Sequence, residues 1–369
     1  MTSRSYSFVF IRRALLSAGV ALLFSACAVQ NGRVADGSVP NLAASVAAIA
    51  PDTGYQVIDF DWRDESRQRA VPVRLYWPDV AAADGAKVPL IVFSHGIGGS
   101  RRGYSYLGRY WANHGYASLH VQHVGSDREL WFGNVFTLVS RLQGAAQESE
   151  AVARTRDVRF ALDRILADPR AGHIDTTRIV AAGHSYGANT TLLLAGARVS
   201  REGVPADLAD PRIRAAIVIS APPFYGEDDP APILSGVRIP SLHITATEDV
   251  INIPGYHSPA SDRLKVFDAT ASPLKALAVF EGGSHSIFTD RSGTGGLERN
   301  PQVKAATQTL TLAFLERVFD HDEHTLDAWR ETHRSLLAAF SIADARKAAP
   351  HAAASAARTG AESRPFPSF

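Results

Sequence analysis

The sequence predicts an α/β domain built on a mostly parallel, twisted sheet, with helices on both faces and an antiparallel N-terminal hairpin. Three observations carry that prediction. Short apolar runs alternate with segments of helical period along most of the chain. The first two runs are joined only by a polar turn. The segment Gly183-His184-Ser185-Tyr186-Gly187 places a serine between two glycines where a β-branched run gives way to an Ala- and Leu-rich stretch.

In chain order, 55–62 (YQVIDFDW) and 70–78 (AVPVRLYWP) pair as a hairpin around RDESRQR. The nearly continuous apolar run 89–96 (PLIVFSHG) has the pattern of a strand buried on both faces. A helix near 104–113 and a strand over 116–125 follow. Val158, Leu162 and Ile165 then recur at helical spacing within 155–167. The strand 177–183 leads into the Ala/Leu-rich helix that ends near Ala197. Three more strands fall at 215–222, 241–246 and 274–280. Asn300-Pro301 predicts a helix start, with Val303, Ala306, Leu310 and Ala313 as its apolar stripe. A last helix is expected to carry Leu326, Trp329, Leu336 and Phe340. The connection 126–154 is longer than usual and bears Trp131, Phe132 and Phe136, so it is a candidate lid; a packed surface helix is the alternative.

These elements predict one α/β domain over 53–342, and the ends differ from it. Arg4, Arg12 and Arg13 precede an apolar run from Ala14 to Ala26, the layout of a secretory signal over residues 1–27. The single cysteine, Cys27, closes that run, and Leu23-Phe24-Ser25-Ala26-Cys27 resembles a bacterial lipobox with Phe24 in the place of the usual leucine. Lipidation at Cys27 would anchor the chain to a membrane; cleavage after Ala28, with Cys27 discarded, is the alternative. Either outcome implies export. Residues 28–52 look like a tether, and 343–369, rich in Ala, Arg, Ser and Pro, like a disordered tail. Lys and Arg total 38 against 37 Asp and Glu, so no basic field exists to attract nucleic acid.

The serine motif gains meaning from its setting. Chance alone would give roughly 0.1 to 0.2 matches to G-x-S-x-G in a chain this long. A strand before it and a helix after it are what a sharp nucleophile-bearing turn requires, with Ser185 at the positive end of the helix. A serine hydroxyl needs a base, and the base an orienting acid. On such a sheet they follow in the order serine, acid, histidine. Asp249 follows the strand at 241–246, and His285 follows the strand at 274–280. Glu248 is the alternative acid; Asp249 is preferred as the later residue of the loop. Backbone amides for a developing oxyanion are expected from Tyr186 and from Ile97 in the loop Ser94-His95-Gly96-Ile97-Gly98-Gly99-Ser100. That loop lacks the spacing of a phosphate cradle.

The stretches PLIVFSHGIGGSRRGYSYLGRYWANHGYASLHVQHVGS, RDVRFALDRIL and AAGHSYGANTTLLLAGA resemble the α/β-hydrolases related to platelet-activating-factor acetylhydrolase and the dienelactone-hydrolase-like esterases. The resemblance spans about residues 55–320. It implies the α/β-hydrolase fold and a serine esterase with the triad Ser185, Asp249 and His285 and oxyanion amides at Ile97 and Tyr186. Its departures are a serine where dienelactone hydrolases carry cysteine, Ala188 where a glycine often follows the elbow, and a glycine-free turn Thr245-Ala246-Thr247-Glu248-Asp249. These bear on the substrate more than on the chemistry.

Other histidines have plainer readings. His257 is a loop residue, His243 a strand core residue, and His184 a packing neighbour of the serine; His120 and His123 lie along one strand, facing opposite sides. His321-Asp322-Glu323-His324 reads as a solvated helix start, and with neither H-E-x-x-H nor C-x-x-C no metal or other cofactor is expected. The expected partner is a small-molecule or lipid ester, hydrolysed faster as pH rises and His285 loses its proton. A prolyl-oligopeptidase-like peptidase would need a propeller or long extra domain beyond this length. Acyl transfer and a non-catalytic surface lipoprotein on the same scaffold are the remaining alternatives. The intact serine, acid, histidine order argues against the last.

Overall fold

The computed structural model describes residues 54–345, apart from 83–84, 86, 202–203, 225–228 and 254–255. The expected signal segment with Cys27, the expected tether 28–52 and the part of the expected tail beyond 345 lie outside the described residues.

The chain opens with the expected hairpin, β1 (Tyr55–Asp64) and β2 (Arg69–Pro78), paired antiparallel from Tyr55↔Pro78 to Asp64↔Arg69. It continues as β3 (Val88–Ser94), α1 (Ser105–Asn113), β4 (Ala117–Val121), α2 (Leu138–Ala145) and α3 (Glu148–Leu166). Next come β5 (Ile174–His184), α4 (Tyr186–Leu194), the short pair β6 (Val199–Arg201) and β7 (Val204–Ala206), then β8 (Ile213–Ile219) and α5 (Ala231–Leu234). The last part holds β9 (Ser241–Glu248), the small hairpin β10 (Ile251–Ile253) and β11 (Tyr256–Ser258), and α6 (Ser261–Ala269). It closes with β12 (Leu274–Ser284), α7 (Arg299–Phe319), α8 (Thr325–Thr332) and β13 (Leu337–Asp344).

One nine-stranded sheet runs β1-β2-β4-β3-β5-β8-β9-β12-β13. The pairs from β4 through β12 are parallel, and β2 and β13 run antiparallel to their neighbours. Every residue of β3 and β4 is buried, because helices cover both faces. Strand alternation sorts the core: Ile91, Phe93, Val180 and Ala182 pack with Trp111 of α1 and Leu310 and Phe314 of α7. Leu90, Val92, Ile179 and Ala181 face the other way, against Val158, Leu162 and Ile165 of α3.

Three expectations change. Leu336 and Phe340 do not belong to the last α-helix: α8 stops at Thr332, Leu336 ends a separate short 3-10 turn (Arg334–Leu336), and Phe340 lies on β13, opposite Ala278 of β12. β13 carries two residues of the predicted tail, Ala343 and Asp344, into the sheet, where Asp344 pairs with Arg317 at 2.7 Å. α7 begins at Arg299, and Asn300 lies inside it, its side chain donating to the Thr294 carbonyl at 2.8 Å.

Candidate active site

Four segments bring their chemistry to the carboxyl end of the parallel strands: the loop after β3, the turn after β5, the turn after β9 and the turn after β12. Crevices at that end are where open α/β sheets bind ligands.

The turn after β5 forces Ser185 to φ 56° and ψ −124°, a sparsely populated region that costs about 1–3 kcal/mol. Its amide donates to the Ile219 carbonyl at 2.9 Å, and its carbonyl accepts from Ala188 at 2.8 Å. The flanking glycines are steric necessities. A Cβ on Gly187 would run into the Ser94 carbonyl, and one on Gly183 into the Gly187 carbonyl. Helix α4 starts at the next residue, so its N-terminus lies beside the Ser185 side chain.

His285 heads a 3-10 turn whose Ile287 and Phe288 are wholly buried, which pins the turn to the core. Its Nε2 lies 2.9 Å from Ser185 Oγ, and its Nδ1 lies 2.6 Å from Asp249 Oδ1. With the proton on Nδ1, the ring donates to the carboxylate and accepts from the serine hydroxyl. Asp249 is fully buried, and its Oδ2 accepts from Thr245 Oγ1 at 2.7 Å. Burial alone would raise its pKa. The hydrogen bond from His285, then the charges of His285 and Arg263, outweigh burial and hold the carboxyl well below the usual range. Arg263, itself buried, stands 3.6 Å away through Nε. Glu248, the alternative acid, is exposed at the end of β9.

The remaining histidines fall outside this contact. His184 is buried; it bonds Tyr104 Oη at 2.8 Å and donates through Nε2 to the His285 carbonyl at 3.0 Å. Burial, with His285 close by, pushes its pKa down to about 3, so it stays neutral. His243 is buried and meets Ser241 Oγ. His257 is exposed on β11 of a hairpin, rather than in a bare loop. β4 ends at Val121, so only His120 is a strand residue; His123 lies beyond it, bonding Asp157 and Ser94. Residues 321–324 are exposed ahead of α8, with Glu323 paired to Arg317.

The loop after β3 lies against the elbow: a Cβ on Gly96 would stand 3.2 Å from Ser185 Cβ. Among the described residues, neither the Ile97 nor the Tyr186 amide has a backbone acceptor. The loop is held from behind by Arg154, which sequence reasoning missed. This fully buried guanidinium donates to the His95 carbonyl, to Ser126 Oγ at 2.8 Å and to Thr190 Oγ1 at 3.0 Å. It also lies 4.5 Å from the Tyr186 ring centroid. The Ser126 carbonyl in turn accepts from Gly98 at 2.8 Å. Burial pushes the Arg154 pKa down to about 10, which leaves it a cation at neutral pH. Its signal was its place on α3: it sits four residues before Val158, on the apolar stripe itself.

A cleft of about 590 Å³ opens over Ser185. Its walls are mainly apolar, with Leu142, Val152, Leu193, Leu208, Phe224 and Ile251 among them. Leu142 and Val152 come from the long connection 126–154, which folds as two 3-10 turns, α2 and the start of α3. Trp131 Nε1 ties that connection to the Gly98 carbonyl at 2.9 Å.

A solved ferulic acid esterase from Streptomyces cinnamoneus superposes with a TM-score of 0.55 at 22% identity, covering 75% of this chain and 93% of that one. The chain has the α/β-hydrolase fold. A family model described as platelet-activating factor acetylhydrolase, isoform II, matches residues 61–137. That stretch of this hydrolase-fold chain runs from β1 through the Ile97 loop and β4 and ends before Ser185. The two matches make the chain similar to esterase-like hydrolases. No curated protein matches it.

Proposed function

We propose that this chain is a serine esterase that cleaves carboxylic esters, of short-chain or lipid type, through an acyl-enzyme. One observation carries the reading: a strained, turn-borne serine 2.9 Å from a histidine that is itself 2.6 Å from a buried carboxylate. Ser185 Oγ attacks the ester carbonyl carbon while His285 Nε2 takes its proton. Asp249 keeps the imidazole oriented and offsets the charge it acquires. The tetrahedral oxyanion is received by the amides of Ile97 and Tyr186. Collapse of that intermediate breaks the bond to the alcohol, which leaves with the proton from His285. Water then adds to the acyl-serine, giving its proton to His285, and the acid departs as Ser185 Oγ is reprotonated. The apolar cleft favours substrates with hydrocarbon on at least one side of the ester. Export and a lipid anchor at Cys27 belong to the same proposal, resting on residues 1–27, and incorporation of labelled fatty acid tests the anchor.

The test is hydrolysis of p-nitrophenyl esters from acetyl to palmitoyl by the wild type and by Ser185→Ala. The expected result is turnover in the wild type, reduced on the order of 10⁴-fold or more in the variant. Equal turnover in both would overturn the reading. Reaction with a fluorophosphonate but with no ester would redirect it to amide cleavage or acyl transfer.

A further inference from the structure

Asn189 stands out among the groups that line the cleft. It lies four residues beyond Ser185 on α4, about 6 Å along the helix axis. The residue is 5% exposed, and its Oδ1 is buried with no hydrogen-bond partner among the described residues. Nearby polar groups are already engaged. Thr190 Oγ1 donates to the Tyr186 carbonyl at 3.2 Å and accepts from Arg154, and Ser185 Oγ is taken by His285. The cleft wall is mainly apolar, with Val152, Leu193 and Leu208, although Gln143, Gln147 and Glu148 also line it. A buried amide is costly to leave unmatched, and pockets of this kind use a few placed polar groups to fix what they accept.

The chemistry of the amide narrows the ligand. Asn189 lines the cleft, and in either orientation its amide carries one acceptor and one two-hydrogen donor. A hydroxyl meets both, since it donates one hydrogen and accepts another. The 6 Å scale places that hydroxyl within a few bonds of a carbonyl held at Ser185.

We propose that Asn189 determines the specificity of this cleft, and that its ester carries a hydroxyl group within a few bonds of the ester carbonyl. The proposal rests on the serine-esterase reading and adds the class of substrate to it. A plain alkyl ester fills the apolar volume but leaves the amide unmatched, and a site built for a hydrogen bond discriminates strongly against an analogue that lacks it.

The experiment uses two matched pairs: p-nitrophenyl 3-hydroxybutanoate against p-nitrophenyl butanoate, and 2-hydroxyethyl butanoate against ethyl butanoate. The first pair puts the hydroxyl on the acyl side and the second on the alcohol side. In the wild type, kcat/KM should favour the hydroxylated member of at least one pair by about 10-fold or more. Asn189→Leu should abolish that preference. Its melting temperature should not fall, because the substitution removes an unmatched buried polar group. No preference in either pair, a preference that survives in Asn189→Leu, or a marked fall in its melting temperature would overturn the proposal. Fluorophosphonate labelling of Ser185 in the same preparation separates the two levels. Labelling without hydroxyl preference removes the substrate class and keeps the esterase, whereas absence of labelling removes both.

Discussion

Ser185 is held at a backbone geometry that an ordinary turn would relax, and the chain maintains it with two glycines that carbonyl oxygens leave no room to replace. Strain of that kind persists where the surrounding structure over-determines it, and here the Ile219 carbonyl and the Ala188 amide hold the backbone while His285 takes the hydroxyl. The choice between adjacent acids is a matter of burial. Asp249 is enclosed and reaches His285 Nδ1, while Glu248 points to solvent from the last position of β9. Asp249→Asn is expected to lower kcat by about 10⁴-fold, because the ring loses the partner that fixes its tautomer. Glu248→Gln should change it little; steady-state assays of both variants on one ester decide. These residues were legible in the sequence because each follows a β-rich run and they occur in a fixed order. Asn189 and Arg263 were not legible, since what marks them is an unmatched atom or a contact made across the fold.

At the scale of elements, α3 does more than cover the sheet. Its stripe of Val158, Leu162 and Ile165 was readable from period alone, and it seats Arg154 behind the loop after β3. Arg154 joins His95, Ser126 and Thr190 and lies over the Tyr186 ring, so one side chain braces both segments that carry the proposed oxyanion amides. It is a positioning residue. Arg154→Met is expected to lower kcat by about 10- to 100-fold with KM nearly unchanged, because the loss falls on the transition state. Separate measurement of kcat and KM checks this, since general loosening of the fold would move KM as well. The end of the chain shows what local pattern hides. Leu326, Trp329, Leu336 and Phe340 continue a helical spacing, yet Leu337–Asp344 becomes a strand. That half-exposed edge segment owes its form to pairing with β12, a partner more than fifty residues earlier, and short-range periodicity does not contain it.

For the whole molecule, the order of the sheet gathers residues 97, 185, 249 and 285 at one end although nearly two hundred positions separate the first from the last. Alternating strands and helices made that architecture legible, as did the even balance of charge that sets nucleic acid aside. The cleft was less legible. Its walls come from α2, α3, α4 and the β10–β11 hairpin, which no single stretch of sequence unites. The site also contributes to the stability of the fold. The Asp249 carboxyl releases its proton at lower pH in the folded chain than in the unfolded one. Its stabilisation is therefore present above the ordinary carboxylate pKa of about 4 and is lost as pH falls toward its folded value. The gap in melting temperature between wild type and Asp249→Asn should be widest near neutral pH and close steadily below about pH 4. A gap independent of pH would mean that the carboxylate charge contributes nothing to folding.

The central claim is that Ser185 is a nucleophile activated by His285. The most direct measurement is fluorophosphonate labelling of the purified chain, with the adduct located by peptide mass spectrometry, in wild type and in His285→Ala. The expected result is a single adduct on Ser185 that is lost, or forms on the order of 10³-fold more slowly, in the variant. An adduct on another residue, or one that forms on Ser185 equally fast without His285, would contradict it.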